Sequence, residues 1–101
     1  MMGITISNYT FEGPFAKPDA LQRRSGVYAI VGRNGPGGWK IVDIGESGDL
    51  RGRIESHDRE DCWNRQTSSS WSVAAYYCDE PTRMRIETAL RGQYNPPCGK
   101  Q

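Results

Sequence analysis

Residue types suited to acid–base and phosphate chemistry are concentrated between Tyr28 and His57. Arg53 and His57 are four positions apart, so a helix through this segment places them beside each other on one face. A guanidinium group can bind two phosphate oxygens through two parallel hydrogen bonds. A tyrosine, an arginine and a histidine gathered in this way are more typical of a catalytic corner than of ordinary scaffolding.

Two apolar runs around a Gly/Pro-rich connection predict a β-hairpin that carries the tyrosine. The runs are Val27–Val31 and Trp39–Ile44, and the connection contains Gly32, Gly35, Pro36, Gly37 and Gly38. After the second run, Gly45 ends the strand and Ser47 offers a helix N-cap, with Asp49 in the first helical turn. The hairpin is therefore expected to present its tyrosine beside the start of a helix.

The predicted helix carries Leu50 and Ile54 on one face and the Arg53/His57 pair on an adjacent face. The stretch 58–70 is predicted to be a loop, because it begins with a charged cluster and ends in consecutive serines. Trp63 is expected to anchor this loop against the core.

The remaining sequence predicts one more strand and one more helix. Residues 71–78 alternate between two faces of which neither is strongly polar, which favours a strand covered on both sides. Either Asp79 or Glu80 can cap a helix that has Pro81 in its first turn, and Tyr94-Asn95-Pro96-Pro97 ends that helix. The order β-β-α-β-α predicts an α+β fold with a small three-stranded, mainly antiparallel sheet flanked by helices.

Residues 1–24 are predicted to be an N-terminal extension that packs on the domain formed by residues 25–101. Ile4–Ile6 could form a short edge strand, but Pro14 and Pro18 interrupt any regular element. The extension is therefore expected to act as a lid over one face of the sheet.

Composition sets further limits on function. The chain has 101 residues and a net charge of +1, so no global field attracts nucleic acid, although ten of its thirteen cations are arginine. No stretch is apolar enough to span a membrane, and no signal peptide is expected.

Cys62, Cys78 and Cys98 form no close pair, so free thiols in a reducing cytoplasm are expected. A zinc site built from them and His57 lacks a Cys-x-x-Cys pair.

Four short motifs occur in the order found in one known family. Gly26-Val27-Tyr28, then Asp43-Ile44-Gly45, then Arg53 and His57 together resemble the GIY-YIG nuclease domain, over residues 25–99. Each triplet alone is weak, but the ordered set with this spacing is much more specific. The resemblance implies a DNA endonuclease that hydrolyses phosphodiester bonds with Mg²⁺ or Mn²⁺.

The resemblance also implies roles for individual residues. Tyr28 would deprotonate the attacking water, for which its pKa near 10 requires a nearby cation such as Arg53. His57 would assist the tyrosine or, with Arg53, contact the phosphate. Gly45 and Arg51 are further substrate-binding candidates: a side chain at Gly45 would crowd backbone or substrate, and Arg51 competes with Arg53.

Glu87, the only carboxylate inside the last helix, would hold the metal. A hard carboxylate oxygen suits Mg²⁺, which keeps most of its waters. The alternative is an ordinary helix ion pair, because Arg83 and Arg91 lie four residues to either side.

Two positions depart from the family pattern. Asp43 replaces the usual second tyrosine, and Gly99 replaces an asparagine that usually follows the Pro-Pro pair. These departures favour an alternative function, a non-catalytic module of this fold that binds nucleic acid or a protein partner. Strand alternation places Asp43 with Ile41 and Trp39, facing the substrate corner. Its expected partner there is Arg53 or a metal shared with Glu87, unless it points to solvent.

Overall fold

The two apolar runs form the predicted antiparallel hairpin. A computed structural model describes residues 3–99. Its hairpin strands are β3 (Gly26–Arg33) and β4 (Trp39–Ser47), and each extends beyond the predicted apolar run. Tyr28 pairs with Gly45 across the hairpin, which brings the two motif triplets face to face. The ends of the two predicted segments, residues 1–2 and 100–101, lie outside the described residues.

The sheet has five antiparallel strands, so the prediction of three is wrong. The two additional strands are β1 (Gly3–Ile6) and β2 (Tyr9–Phe15), and β5 is Ser72–Tyr77. The spatial order is β1-β2-β5-β3-β4. Residues 3–15 thus mainly extend the sheet, and Leu21 of the same N-terminal extension packs into one core. Pro14 is compatible with β2 because the pairing with β5 is irregular there, where no regular ladder bond is lost.

Three helices connect or follow these strands. α1 (Leu50–Glu55) begins at Asp49, whose side chain accepts a hydrogen bond from the Gly52 N–H, so the predicted cap at Ser47 is wrong. α3 (Glu80–Tyr94) begins with the predicted Asp79 cap and ends at Asn95 in the left-handed region. α2 (Glu60–Thr67) was not predicted, because its single buried residue gives no apolar periodicity.

The helices cover both faces of the sheet and create two apolar cores. One core contains Leu50 and Ile54 of α1 with Trp63 of α2, which confirms Trp63 as an anchor. The other contains Ile86 and Leu90 of α3. β5 contributes to both cores, as the lack of a polar face predicts. Within residues 3–99, no helix combines the length and apolar character needed to cross a membrane.

The expectation of three free thiols is wrong. Cys62 of α2 and Cys98 form a disulfide bond across 36 positions of the sequence, and Cys78 is the free cysteine. The sequence separation concealed this pair, because the C-terminal residues fold back along β4, where the Cys98 N–H donates to the Val42 carbonyl. The prediction of a cytoplasmic location loses the support it drew from free thiols.

Candidate active site

The hydroxyl group of Tyr28 lies at the centre of the candidate site. Its side chain is 1% exposed and extends across Gly45 on the neighbouring strand. A Cβ atom at Gly45 would overlap both the Tyr28 ring and its hydroxyl oxygen. Gly45 is therefore required by the tyrosine itself, and a side chain there would displace the proposed catalytic group.

His57 contacts Tyr28 directly, with Nε2 of the histidine 2.5 Å from the Tyr28 hydroxyl oxygen. The predicted helix position is wrong: α1 ends at Glu55, so His57 lies in the following loop and not on a helix face with Arg53. Its ring is fully buried. A fully buried ring beside the tyrosine hydroxyl suits the predicted assistance to the tyrosine better than the predicted phosphate contact.

The hydrogen bonds of His57 define its tautomer. Burial, followed by the charges of Arg53 and Arg59, lowers the pKa of His57 to about 4, so the ring is neutral at pH 7. Its Nδ1 accepts a hydrogen bond from the Arg59 backbone N–H at 3.0 Å. Because a neutral imidazole has one N–H group, the proton is on Nε2, which donates to the Tyr28 oxygen.

A second donor reaches the same oxygen of Tyr28. Arg59 Nη2 lies 3.2 Å from it. Burial, with the charge of Asp43, raises the pKa of Tyr28 above its ordinary value, although Arg59 and Arg53 act in the opposite direction. Tyr28 is thus a phenol at pH 7 whose oxygen accepts two hydrogen bonds, and its own O–H is directed away from both donors.

Asp43 is buried with 0% exposure, so the alternative that it points to solvent is wrong, and its arginine partners are Arg59 and Arg91 instead of the predicted Arg53. Its carboxylate accepts hydrogen bonds from four neighbouring residues: Ile44 N (2.8 Å), Arg59 Nε (2.7 Å), Trp63 Nε1 (2.8 Å) and Arg91 Nη1 (2.8 Å). Neither solvent, Arg53 nor a metal shared with Glu87 is needed to satisfy it. Asp43 holds two arginines in place.

A β-bulge explains why the predicted grouping of Asp43 with Ile41 and Trp39 on one strand face is wrong. Ile30 pairs with Asp43, but Val31 pairs with Ile41, so Val42 is an extra residue in β4. The alternation therefore changes phase at Val42. Asp43 faces the side of Tyr28, as predicted, whereas Ile41 and Trp39 pack in the opposite core.

Glu87 is half-buried on α3 and forms neither of the ion pairs that its helix offers within residues 3–99. Arg83 is paired with Glu46 and Glu80, and Arg91 is paired with Asp43. Burial raises the pKa of Glu87, although the charge of Arg91 opposes that effect. A half-buried carboxylate without an ion-pair partner is compatible with a hard cation.

The metal-binding capacity of the described residues is limited to few protein ligands. Residues 3–99 contain no group of three or more His, Cys, Asp or Glu side chains placed to hold a metal ion. The zinc site considered for the cysteines is not available, because two of them are consumed by the disulfide.

The two predicted arginines of α1 lie at the surface beside this site. Arg53 donates to Asp58 at 2.9 Å, and its charge acts on both Tyr28 and His57. Arg51 instead pairs with Glu55 one turn along the helix. Arg53 is thus the nearer of the two to the tyrosine in electrostatic terms.

The sequence interpretation missed Arg59 as the cation that contacts Tyr28. No local signal pointed to it, because both direct neighbours of His57, Ser56 and Asp58, are exposed and the burial of Arg59 depends on its contact with Asp43. Arg91 was considered only as a partner of Glu87. Its role in the site depends on the C-terminal fold-back, where its Nη2 donates to the carbonyls of Cys98 and Gly99.

Comparisons with family models, with curated proteins and with solved structures found no match to this chain. The candidate function of this chain therefore depends on the motif residues and on the geometry of the Tyr28 site.

Proposed function

We propose that this chain is a GIY-YIG-type endonuclease that hydrolyses DNA phosphodiester bonds with the help of a divalent metal ion. The observation that carries the proposal is the hydroxyl of Tyr28, held 2.5 Å from a neutral, buried histidine. Structural tyrosines in a core need one hydrogen-bond partner. Here two donors converge on the oxygen, one of them a guanidinium, an arrangement suited to stabilising negative charge on it.

In this proposal Tyr28 takes the proton of the attacking water. Because its pKa is raised, only a small fraction is ionised at pH 7, and the two donors stabilise that phenolate. His57 orients the tyrosine through its Nε2–H group, which donates to the Tyr28 oxygen. Arg53, at the surface, binds the phosphate once substrate displaces Asp58 from it.

Glu87 is the residue that would hold Mg²⁺ or Mn²⁺. The ion would supply Lewis-acid stabilisation of the charge that develops on the phosphate. Glu87 itself contributes a partly desolvated carboxylate, which binds a cation more strongly than an exposed one does.

The test is nicking of a supercoiled plasmid with Mg²⁺, with Mn²⁺ and with EDTA. Tyr28→Phe should lower the rate by about a hundredfold or more, the usual value of acid–base catalysis. Tyr76→Phe is the matched control, because Tyr76 is a half-buried tyrosine that packs in the opposite core. A Tyr28→Phe variant as active as the control, or full activity in EDTA, would contradict the proposal.

The pH dependence of the rate separates a base from a hydrogen-bond donor at Tyr28. If the ionised tyrosine is the active species, the logarithm of kcat/KM rises with pH with a slope of about one between neutral and mildly alkaline pH. A rate independent of pH in this range would mean that the phenol acts as a donor.

One observation favours the second candidate, a non-catalytic module that binds nucleic acid or a protein. Tyr28 is only 1% exposed, so water and phosphate have little access to its hydroxyl in the described structure. Binding of a labelled DNA duplex without nicking under any metal condition would support this function over catalysis.

A further inference from the structure

The guanidinium of Arg59 is anchored along one edge and open along the other. Nε donates to Asp43 at 2.7 Å, and Nη2 lies 3.4 Å from the second Asp43 oxygen and 3.2 Å from the Tyr28 oxygen. Nη1 has no acceptor among residues 3–99, and 29% of the side chain is exposed. The two N–H groups of Nη1 are therefore available to a ligand that approaches beside the tyrosine.

Arg91 binds the same carboxylate but has no such opening. Its Nη1 donates to Asp43 and to the Ile44 carbonyl, and its Nη2 donates to the carbonyls of Cys98 and Gly99. Both terminal nitrogens are thus occupied by protein oxygens. Of the two arginines held by Asp43, only Arg59 combines a fixed position with a terminal nitrogen that has no acceptor among residues 3–99.

The cluster formed by Asp43, Arg59 and Arg91 carries a net positive charge. Asp43 carries one negative charge between two guanidinium groups, so the three side chains together carry +1. Fixing the guanidinium in advance reduces the side-chain entropy lost when it binds an anion. The unused edge adjoins the Tyr28 hydroxyl, so a bound oxyanion would lie within reach of that group.

We infer that Arg59 is a phosphate-contacting residue of this site, anchored by Asp43 and binding an oxyanion through Nη1. The inference deepens the proposed function, because it assigns the cation that contacts the phosphodiester next to Tyr28. Arg59 would then contact the phosphate together with Arg53, the cation at the surface.

DNA binding in EDTA tests this inference without requiring cleavage. The variant is Arg59→Gln, and the control is Arg33→Gln, an exposed cation about 17 Å along β3 from Tyr28. Affinity for a fluorescein-labelled duplex is measured by anisotropy over a range of salt concentrations. Loss of one phosphate contact should reduce the slope of log K against log salt by about one for Arg59→Gln and leave the control unchanged. Equal slopes for both variants, or no DNA binding by the parent, would overturn the inference.

A measurement on the unaltered chain covers the case in which Arg59→Gln does not fold. Titration with inorganic phosphate is followed through the arginine Nε–H signals in ¹⁵N NMR. The Arg59 signal should shift with saturation, whereas the Arg91 signal should not. Movement of Arg91 alone, or of neither signal, contradicts the assignment.

The outcomes separate this inference from the proposed function. A reduced salt slope for Arg59→Gln with no nicking by the parent would refute the endonuclease and retain the phosphate contact. Where the parent nicks plasmid, Arg59→Gln should also lose about tenfold or more in kcat/KM, the value of one charged hydrogen bond. If Arg59→Gln nicks plasmid at the parent's rate and binds DNA with an unaltered salt slope, the endonuclease is retained and the phosphate contact of Arg59 is refuted.

Discussion

Asp43 and Glu87 are the two acidic residues that the sequence assigned to the candidate site, but the fold surrounds them very differently. Asp43 is fully buried and accepts hydrogen bonds from two arginines, a tryptophan and a backbone N–H. Glu87 is half-buried and has no ion-pair partner within residues 3–99, although two arginines lie one turn away on its own helix.

The difference shows which carboxylate is structural and which is available. A buried carboxylate with all its acceptors used stabilises the positions of its donors, and removing it leaves their charges uncompensated. A partly buried carboxylate without an ion-pair partner is partly desolvated and uncompensated, so it is available to a ligand. The comparison therefore predicts that the two residues respond oppositely to mutation, with stability lost at one and activity lost at the other.

The largest effect is expected for Asp43→Ala. Arg59 and Arg91 would keep their charges in a partly buried site without the carboxylate, so the free energy of unfolding should fall by about 3–5 kcal/mol. Urea denaturation measures this loss. Glu55→Ala is the control, since its exposed ion pairs with Arg23 and Arg51 should contribute under about 1 kcal/mol. Similar losses of unfolding free energy in the two variants would contradict a structural role for Asp43.

The disulfide belongs to the structural side of the comparison and should give the next largest effect. It joins α2, just after Arg59, to the segment that accepts hydrogen bonds from Arg91. Reduction, or Cys62→Ser with Cys98→Ser, should lower the free energy of unfolding by about 2–4 kcal/mol for a loop of 36 residues. Cys78→Ser is the matched control and should be nearly neutral. Unchanged stability of the double variant would mean that the other contacts of this segment suffice.

A pH titration of stability tests the burial of neutral His57. Its folded pKa, about 4, is below the ordinary 6.5, so its contribution is complete above pH 6.5 and is lost as pH falls from 6.5 to 4. Asp58 and Asp79, whose pKa values are lowered from 3.8 chiefly by hydrogen bonds to Arg53 and Thr82, affect stability below this window. Urea midpoints at several pH values should show the decline, and His57→Gln should flatten it. A parent with equal midpoints at pH 7 and pH 4.5 would contradict a buried neutral ring.

The smallest stability effect is expected for Glu87→Gln. Burial raises the folded pKa of Glu87, so ionisation costs stability as pH rises from the ordinary value of 4.5 through the folded pKa. Near pH 7 the variant should equal the parent within about 0.5 kcal/mol or be slightly more stable, and below pH 4.5 the difference should vanish.

Metal addition then sharpens the contrast. Mg²⁺ should raise the Tm of the parent but not of Glu87→Gln, because only a ligand that binds the folded state stabilises it. Plasmid nicking should be lost in the variant. Equal responses of the two proteins to Mg²⁺ would exclude Glu87 as the metal ligand.

The sequence predicted the elements that its apolar patterns specify. The hairpin, the third strand of the prediction and the final helix follow from runs and caps that need no distant partner. β1 and β2 were not predicted as a pair, because the prolines of this segment argue against strands unless an irregular pairing accepts them. α2 was missed because a helix with one buried residue has no periodicity to detect.

In the candidate site, sequence reasoning identified the residues of the motifs but not their partners. Tyr28 and Gly45 are paired as their triplets suggest, and His57 lies beside the tyrosine. The Arg59 and Arg91 contacts with Asp43 depend on a turn and on a chain fold-back, and neither leaves a local signature. Long-range contacts of this kind depend on the whole fold, so composition and spacing cannot predict them.

The bulge at Val42 divides the hairpin into two parts that can vary independently. The part near the site is fixed by the pairs Tyr28–Gly45 and Ile30–Asp43, whereas the part beyond the bulge ends in the exposed tip 34–37. An insertion in that tip can be absorbed by a change at the bulge without moving the paired triplets. The number of residues between the two triplets is thus a poor criterion for recognising distant relatives, and alignments should permit gaps there. The same tip is the place to insert a fluorophore or an affinity tag.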